Sequence, residues 1–173
     1  MKNQPVYTYQ LKTNPISLKY PWHLFDIQHQ LATQISPKVS KQAQIHPTAI
    51  IDSTVNIEPG AKIMEHAVIK GHSYIGKNVI VGTGSLTRDS LLEANVQVGY
   101  NSEITRSIIM PGTHSHGGGF IGDSIIGQNC RIGAGFITAN RRTDRKPIHA
   151  YIKNKKINTN KTSLGCFIGQ NCQ

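Results

Sequence analysis

The chain has 173 residues, enough for one domain with a continuous core, and its 16 glycines and few aromatic residues are typical of a fold with many corners. The first ten residues are polar and no segment approaches membrane-spanning length, so we expect neither a signal peptide nor a membrane anchor. The spacing of Cys130, Cys166 and Cys172 indicates no disulfide framework and is typical of reduced thiols in a cytoplasmic protein.

An amphipathic helix is predicted near the N-terminus. Residues 1–20 show no periodicity and are expected to be extended. Beyond Pro21, apolar residues follow at helical spacing as far as the breaker Pro37, which predicts a helix over residues 21–34. The apolar positions are Leu24, Ile27, Leu31 and Ile35.

A six-residue repeat organises the centre of the chain. Aliphatic residues occupy every sixth position: Ile45, Ile51, Ile57, Ile63, Ile69, Ile75 and Val81. A small or β-branched residue follows four positions later in each repeat: Ala49, Val55, Ala61, Ala67, Ser73, Val79 and Ser85. This period predicts short parallel strands stacked as a solenoid, with two inward positions per repeat. Because a solenoid has an apolar end, we expect the helix to cover the first coil, with a partner-binding helix as the alternative.

The repeat changes phase once. It runs to Leu86, slips at 87–90 and resumes with large residues at Leu92, Val98 and Ile104. Their small partners are then Val96, Ser102 and Ile108. A phase slip inside a solenoid predicts a bulge or a small loop at one corner.

A segment rich in glycine and histidine follows, and it interrupts the repeat. Residues 110–120 include His114 and His116 beside three consecutive glycines, which permit close approach of another chain or a ligand. The repeat is expected to return at Ile121, Ile126 and Ile132.

The last part of the chain is basic. A loop is predicted over 141–147 and a β-hairpin over 148–157 around Asn154-Lys155, and Phe167 begins a further coil. The predicted organisation is therefore an N-terminal segment and helix (1–42), a β-helix (43–140), a basic loop and hairpin (141–163) and the start of another coil (164–173). Between positions 141 and 161 Asp144 is the one acidic residue. The basic residues of the same segment are Arg141, Arg142, Arg145, Lys146, Lys153, Lys155, Lys156 and Lys161.

This charge attracts phosphate in some form. Nucleic acid is not favoured, because Tyr151 is the one aromatic residue nearby and single-strand binders interleave aromatic and basic residues. A small phosphorylated substrate or a solvated face fits the pattern better.

Two resemblances refine the prediction. The repeats resemble the hexapeptide-repeat proteins, which implies an all-β fold: a left-handed parallel β-helix, with a short N-terminal helix and a late β-hairpin in this chain. Residues 120–144 are similar to the acetyltransferase half of bifunctional sugar-1-phosphate nucleotidylyltransferases, the archaeal-type enzymes of UDP-N-acetylglucosamine synthesis. The likeness extends to residues 19–22, which resemble the segment joining those enzymes' two domains, and to 164–169.

The second resemblance implies a cytoplasmic homotrimer that transfers an acetyl group from acetyl-CoA to the amino group of a hexosamine 1-phosphate, with no metal. Such chemistry needs a base, a hydrogen-bonding group at the reacting atoms and cations for the phosphate. The residues implied are His116 as base, Asn140 as donor or acceptor at the amine, and Lys146, Arg141, Arg142 and His149 for the sugar phosphate.

The chain departs from that family at several points. Phe120 takes the place of a tyrosine and Gly117 that of a histidine, with His116 one residue earlier, and His149 takes the place of a second lysine. The family's glycine-rich nucleotide loop and the coils that bind coenzyme A after position 169 are not found in this sequence, so uridylyl transfer is not expected of it.

Two other functions stay open. One is a non-catalytic trimerising or sugar-nucleotide-binding domain, in which Asn140 caps a corner, the basic loop is merely solvated and His116 lies at a subunit interface. The other is a zinc enzyme, because His116-Gly117 seven residues before Asp123 is similar to a ligand's setting in the hexapeptide-repeat carbonic anhydrases. Zinc catalysis needs three protein ligands, and Pro111 stands where a second histidine is expected.

Overall fold

A computed structural model describes residues 15–173. In this range one helix, α1 (His23–Ala32), precedes nineteen short strands, of which seventeen form three parallel sheets. Sheet 1 contains β1 (Gln44–Ile45), β4 (Lys62–Ile63), β7 (Ile80–Val81), β10 (Gln97–Val98), β13 (His114–Ser115) and β16 (Arg131–Ile132). Sheet 2 contains β2 (Ile50–Ile51), β5 (Val68–Lys70), β8 (Leu86–Arg88), β11 (Glu103–Thr105) and β14 (Phe120–Gly122). Sheet 3 contains β3 (Asn56–Ile57), β6 (Tyr74–Ile75), β9 (Leu91–Leu92), β12 (Ile108–Ile109), β15 (Ile125–Ile126) and β19 (Phe167–Ile168).

The chain visits the three sheets in turn, so each sheet is one side of a solenoid. Each strand pairs in parallel with its counterpart one coil further along, as in Ile45 with Ile63 and Ile63 with Val81. An antiparallel hairpin, β17 (His149–Ile152) and β18 (Lys155–Asn158), projects before the last coil. The predicted parallel β-helix with a short helix and a late hairpin is confirmed.

The aliphatic repeat fills the interior. Ile63, Ile69 and Ile75 are fully buried on the three sides of one coil, as the six-residue pattern predicts. At the N-terminal end of the solenoid the burial is incomplete: Ile51 is half-buried and Ile45 is 36% exposed, because no further coil covers them within residues 15–173. The core therefore begins in the second half of the first coil.

One corner of the solenoid becomes shorter after the second coil. Counterparts in sheet 1 are eighteen residues apart up to Val81 and seventeen apart afterwards, as Val98 shows. The lost residue lies between sheets 2 and 3, where Asp89, Arg106 and Asp123 turn the chain with positive φ values of 49°, 45° and 50°. The bulge or loop predicted at 87–90 is wrong, because the corner is tightened and no residues are extruded.

The tight corner also changes which residues face inward. Thr87 is fully buried in β8, and Ser107 takes the small inward position that the sequence pattern assigned to Ile108. Ile108 points outward in β12, and the assignment of that residue to the small position is wrong.

The glycine- and histidine-rich segment does not interrupt the coils. Thr113 and Ser115 are buried in inward positions, and β13 pairs with strands on both sides. The following corner needs Gly117, because a Cβ atom there would lie 2.7 Å from the carbonyl oxygen and 2.7 Å from the ring of Tyr100. The predicted break at 110–120 is wrong because small polar residues replace aliphatic ones in the same geometry.

Helix α1 lies along the outside of sheet 3. The ring of Phe25 is 6.3 Å from that of Phe167, and Gln28 Nε2 donates a hydrogen bond to the carbonyl of Asp89. Between these contacts the outward-facing Ile108 and Ile125 are buried. The expectation that this helix covers the first coil is wrong, since it packs on a side of the solenoid.

No helix among residues 15–173 has the length and apolar character needed to cross a bilayer.

The hairpin turns at Lys153-Asn154, where both residues have positive φ, as a two-residue turn of type I′ requires. The prediction placed this turn one residue later, but Lys155 already belongs to β18. Ile152 and Ile157 are half-buried, whereas Tyr151 is 73% exposed on the opposite face.

A ladder of serine hydroxyls runs along the inside of the short corner. The hydroxyls of Ser73, Ser90 and Ser107 each accept the backbone N–H of the equivalent residue one coil further on, at 3.1–3.3 Å. Ser124 ends the ladder by accepting the N–H of Cys166 at 3.1 Å. These bonds satisfy N–H groups that the tight turn removes from water.

Replacing Ser107 with alanine tests this ladder. The change leaves the buried N–H of Ser124 without its acceptor and removes a hydroxyl donor to the Thr105 carbonyl, so we expect a loss of about 1–3 kcal/mol in the free energy of unfolding. Urea unfolding at fixed protein concentration measures it, with Ser53→Ala in an exposed turn as the control. Equal midpoints for the two variants would contradict a structural role for the ladder.

Candidate functional site

Two histidines lie at the end of β13. The rings of His114 and His116 stack with centroids 4.7 Å apart, and Arg131 Nη1 lies 2.9 Å from His114 Nδ1. Since arginine can only donate, His114 Nδ1 accepts this bond. Burial, followed by the charges of His116 and Arg131, lowers the pKa of His114, which favours the neutral ring. The ring of His116 is exposed and makes no hydrogen bond within residues 15–173.

Asn140 is held at the short corner of the next coil. Its Nδ2 donates to Asp123 Oδ2 at 2.5 Å. Asp123 also accepts two bonds from Arg106, from Nε at 2.7 Å and from Nη2 at 2.8 Å. Asp123 is 6% exposed, and hydrogen bonding to it raises the pKa of the Arg106 guanidinium. The three side chains form one connected polar group, which we call the corner network.

Neither Arg106 nor Asp123 was identified as a site residue from the sequence. They are seventeen residues apart, one coil from each other, and both occupy the positive-φ position of the corner. A basic and an acidic residue at the same position of consecutive repeats is the signal that identifies such a pair once the coil length is known.

The side chain of Asn140 lies over Gly122. A Cβ atom at Gly122 would be 2.4 Å from the ring of Phe120 and 2.8 Å from Asn140 Nδ2. A glycine is therefore required for the phenyl ring and the amide to lie side by side. Phe120, in the place of the family's tyrosine, presents an apolar edge without a hydroxyl at this point.

The basic loop directly follows Asn140. Arg142 donates two hydrogen bonds to Asp144, at 2.8 and 2.7 Å, and Arg141 Nε donates to Ser163 Oγ at 2.8 Å. The guanidinium of Arg142 and the backbone N–H of Lys146 lower the pKa of Asp144 to about 2. The ion pair between Arg142 and Asp144 therefore helps to hold this loop in its conformation.

The other two predicted phosphate ligands are exposed. Lys146 and His149 have no side-chain hydrogen bond or ion pair within residues 15–173, so their side chains are free to meet a solute. Lys161, by contrast, forms an ion pair with Asp26 of α1. The basic cluster is thus divided into paired and unpaired cations.

The structure brings Asn140 and the basic loop together but does not bring His116 to them. His116 follows sheet 1, whereas Asn140 lies beside the last residue of β14 at the far end of sheet 2. No hydrogen bond connects the two in the described part of the chain. Within one chain, the predicted base and the predicted amide occupy different corners.

A cavity of about 540 Å³ lies behind the corner network, between α1 and the solenoid. The residues that line it include His72, Asp89, Arg106, Asp123 and Lys161. The sequence pattern does not predict this cavity, because it places helix α1 over the first coil. In residues 15–173 no three His, Cys, Asp or Glu side chains are grouped so that they would hold a metal ion.

The comparisons with known proteins agree with this architecture. Residues 51–173 match the family model described as the GMPPB C-terminal domain. The chain belongs to this family. The matched region includes the β-helix from Ile51 onward, the corner network and the basic loop.

Curated relatives include bifunctional enzymes. The chain is 38% identical over 155 residues to the "Bifunctional protein GlmU" of Methanococcus aeolicus, with 87% of this chain and 36% of that protein covered. It is 31% identical over 154 residues to the "Bifunctional sugar-1-phosphate nucleotidylyltransferase/acetyltransferase" of Sulfurisphaera tokodaii, with 86% and 37% covered. The chain therefore spans about a third of the length of these relatives.

A solved structure shows the same fold. The acetyltransferase domain of PglB from Neisseria gonorrhoeae matches with a TM-score of 0.58 at 17% identity, and the match covers 66% of this chain and 62% of that one. At this identity the likeness shows the β-helix and no more.

The loop charges yield a pH prediction. In the folded protein the Asp144 carboxyl should titrate near pH 2, and we expect Arg142→Ala to return its pKa toward the ordinary value of about 3.9. Because the folded-state pKa is the lower one, the contribution of this pair to stability is present above about pH 3.9 and is lost as the pH falls toward 2. Carboxyl-carbon NMR titration measures both values. An unchanged Asp144 pKa in the variant would show that Arg142 does not hold this carboxylate.

Proposed function

We propose that the chain is a cytoplasmic hexosamine-1-phosphate N-acetyltransferase-like protein of nucleotide-sugar biosynthesis, with acetyl-CoA as the donor. The observation that carries the proposal is the position of Asn140, a half-buried amide fixed by an ion pair and followed directly by a basic loop with free cations. The acetyltransferase relatives support the same proposal, since they share this region of the chain.

The proposed reaction joins the sugar nitrogen to the thioester carbonyl carbon. The amine attacks that carbon, a carbon–nitrogen bond forms and the carbon–sulfur bond breaks. The proton lost by the amine goes to His116, and the thiolate of coenzyme A leaves and takes up a proton. Asn140 lies at the amine, and Lys146 with Arg141 and Arg142 lies at the phosphate, with His149 at the edge of the same surface.

A homotrimer completes this site in the proposal. The base and the amide lie at different corners of one chain, so a neighbouring copy can supply the His116 that faces a given Asn140. The outer face of sheet 2 offers an apolar surface for such contact, because Ile50 and Ile137 are 58% and 71% exposed and Leu86 and Phe120 lie between them. Cyclic symmetry would repeat the same contact three times.

The second candidate is a non-catalytic domain that binds a sugar nucleotide or holds a trimer together. Phe120 and Gly117 favour it, because the phenol and the imidazole of the family's motif are both replaced there. It predicts binding of hexosamine 1-phosphate without release of coenzyme A. The zinc alternative lacks a ligand group in the described part of a single chain.

The direct test is acetyl transfer by the purified protein. Incubation with acetyl-CoA and glucosamine 1-phosphate should release free thiol, detected colorimetrically. We expect His116→Ala to lower kcat by about 10²–10⁴-fold, the usual contribution of a general base. His29→Ala, an exposed histidine of α1, is the control. Absence of turnover by the wild-type protein from pH 6 to 9 would reject the enzyme in favour of the binding domain.

We expect Lys146 to bind the phosphate of the substrate and to have little effect on the acetyl-transfer step. We expect Lys146→Ala to raise KM for glucosamine 1-phosphate roughly tenfold, as the loss of one charged hydrogen bond predicts, with kcat little changed. Lys155→Ala removes the same charge from the exposed hairpin and serves as the matched control. Equal KM values for these two variants would place the phosphate elsewhere.

A further inference from the structure

We propose that Asp123, clamped by Arg106, is a positioning residue that turns the oxygen of the Asn140 amide toward the acceptor amine. The inference rests on the proposed acetyl transfer and adds two residues to its site, Asp123 and Arg106. It is carried by the hydrogen-bond chemistry of the corner network.

The first step is the direction of the Asn140 amide. An ionised carboxylate can only accept hydrogen bonds, so the group that faces Asp123 Oδ2 at 2.5 Å must be the amide nitrogen. The oxygen of Asn140 then points away from Asp123, and it has no hydrogen-bond donor within residues 15–173. Because the carboxylate of Asp123 accepts only, the amide oxygen of Asn140, and not its nitrogen, is left for a ligand.

The second step is the state of Asp123. Two parallel N–H groups of Arg106 meet its two oxygens, the geometry in which a guanidinium binds a carboxylate most strongly. The cation of Arg106 thus lies directly against the buried carboxyl group of Asp123. Both carboxylate oxygens accept from Arg106, and Oδ2 also accepts from Asn140, so the carboxylate holds the guanidinium on one side and the amide nitrogen on the other.

The third step is the rigidity of the surrounding backbone. The carbonyl of Asn140 accepts the N–H of Leu164 at 2.8 Å, and the carbonyl of Asp123 accepts the N–H of Gly165 at 2.7 Å. The N–H of Asp123 itself donates to Thr105 in the preceding coil. Both ends of the Asp123–Asn140 bond are therefore attached to the same stacked coils.

The direction of the amide matters for the proposed reaction. A neutral amine has N–H groups to donate and one lone pair to attack with. The oxygen of Asn140 can accept an N–H and leave the lone pair free for the thioester carbon. A reversed amide would donate to that lone pair and compete with the attack, so the correct direction should affect kcat more than binding.

Asp123→Asn tests the proposal. The amide introduced at this position can give its oxygen to Arg106 and its NH₂ group to Asn140, which then reverses and presents its own nitrogen to the substrate. We expect kcat for acetyl transfer to fall on the order of 10²-fold, the size of losing one well-placed polar group, with KM for glucosamine 1-phosphate changed less than about threefold. The matched control is Asp89→Asn, an aspartate at the same corner position that does not contact Asn140.

Steady-state kinetics and thermal melting of both variants decide the outcome. A kcat for Asp123→Asn equal to that of Asp89→Asn overturns the positioning role while leaving the acetyltransferase standing. A parallel rise of KM, or a fall in kcat matched by a fall in melting temperature, assigns Asp123 a structural role and also overturns the inference. Absence of turnover by the wild-type protein instead rejects the proposed function itself, and the positioning role of Asp123 with it.

A second variant keeps the test decisive if Asp123→Asn does not fold. Arg106→Lys retains the charge but removes the fork that fixes both carboxylate oxygens. We expect kcat to fall by about tenfold at unchanged KM, because the carboxylate is then less firmly oriented. An unchanged kcat would contradict the proposal that Arg106 orients the carboxylate of Asp123.

Discussion

The stacking of each coil on the next is the constraint on which the rest of the molecule depends. Parallel backbone hydrogen bonds join each strand of the three sheets to its counterpart one coil away, so like positions lie above one another along the solenoid. This arrangement puts aliphatic residues on aliphatic residues in the core and serine on serine at the short corner. It also places residues that are far apart in sequence in direct contact, which is how a polar network is built on a surface otherwise made of two-residue strands.

The corner between sheets 2 and 3 shows how that constraint produces a site. Losing one residue per coil forces Asp89, Arg106 and Asp123 into the same conformation, one coil apart. Opposite charges at the last two positions then pair, and the pair holds Asn140 of the following coil. The basic loop begins at the next residue, so a fixed amide and exposed cations lie side by side. In the proposed transferase, the rigid amide would face the reacting atoms and the longer side chains of the loop would face the phosphate.

Much of the fold could be predicted from the sequence, because the aliphatic repeat reports directly on burial. The hairpin and the helix were also predictable from local patterns. The short corner could not be predicted, because its signal in the sequence is a one-residue phase change, which a bulge would also produce. The segment around Ser115 was misread for a related reason: a buried serine in an inward position resembles a loop when only apolar residues are counted. The position of α1 depends on contacts such as Phe25 with Phe167, more than 100 residues apart, which no local pattern encodes. Asn140 was identified through resemblance, whereas Arg106 and Asp123 needed the coil register.

The central claim is that the corner network and the basic loop form the acceptor site of a sugar-phosphate acetyltransferase. A crystal structure of the protein with coenzyme A and glucosamine 1-phosphate tests it most directly. The account predicts the sugar nitrogen within hydrogen-bonding distance of Asn140 Oδ1, the phosphate beside Lys146, and His116 of a neighbouring copy facing the same nitrogen. A sugar phosphate bound away from Asn140, for example in the cavity beneath α1, would contradict it.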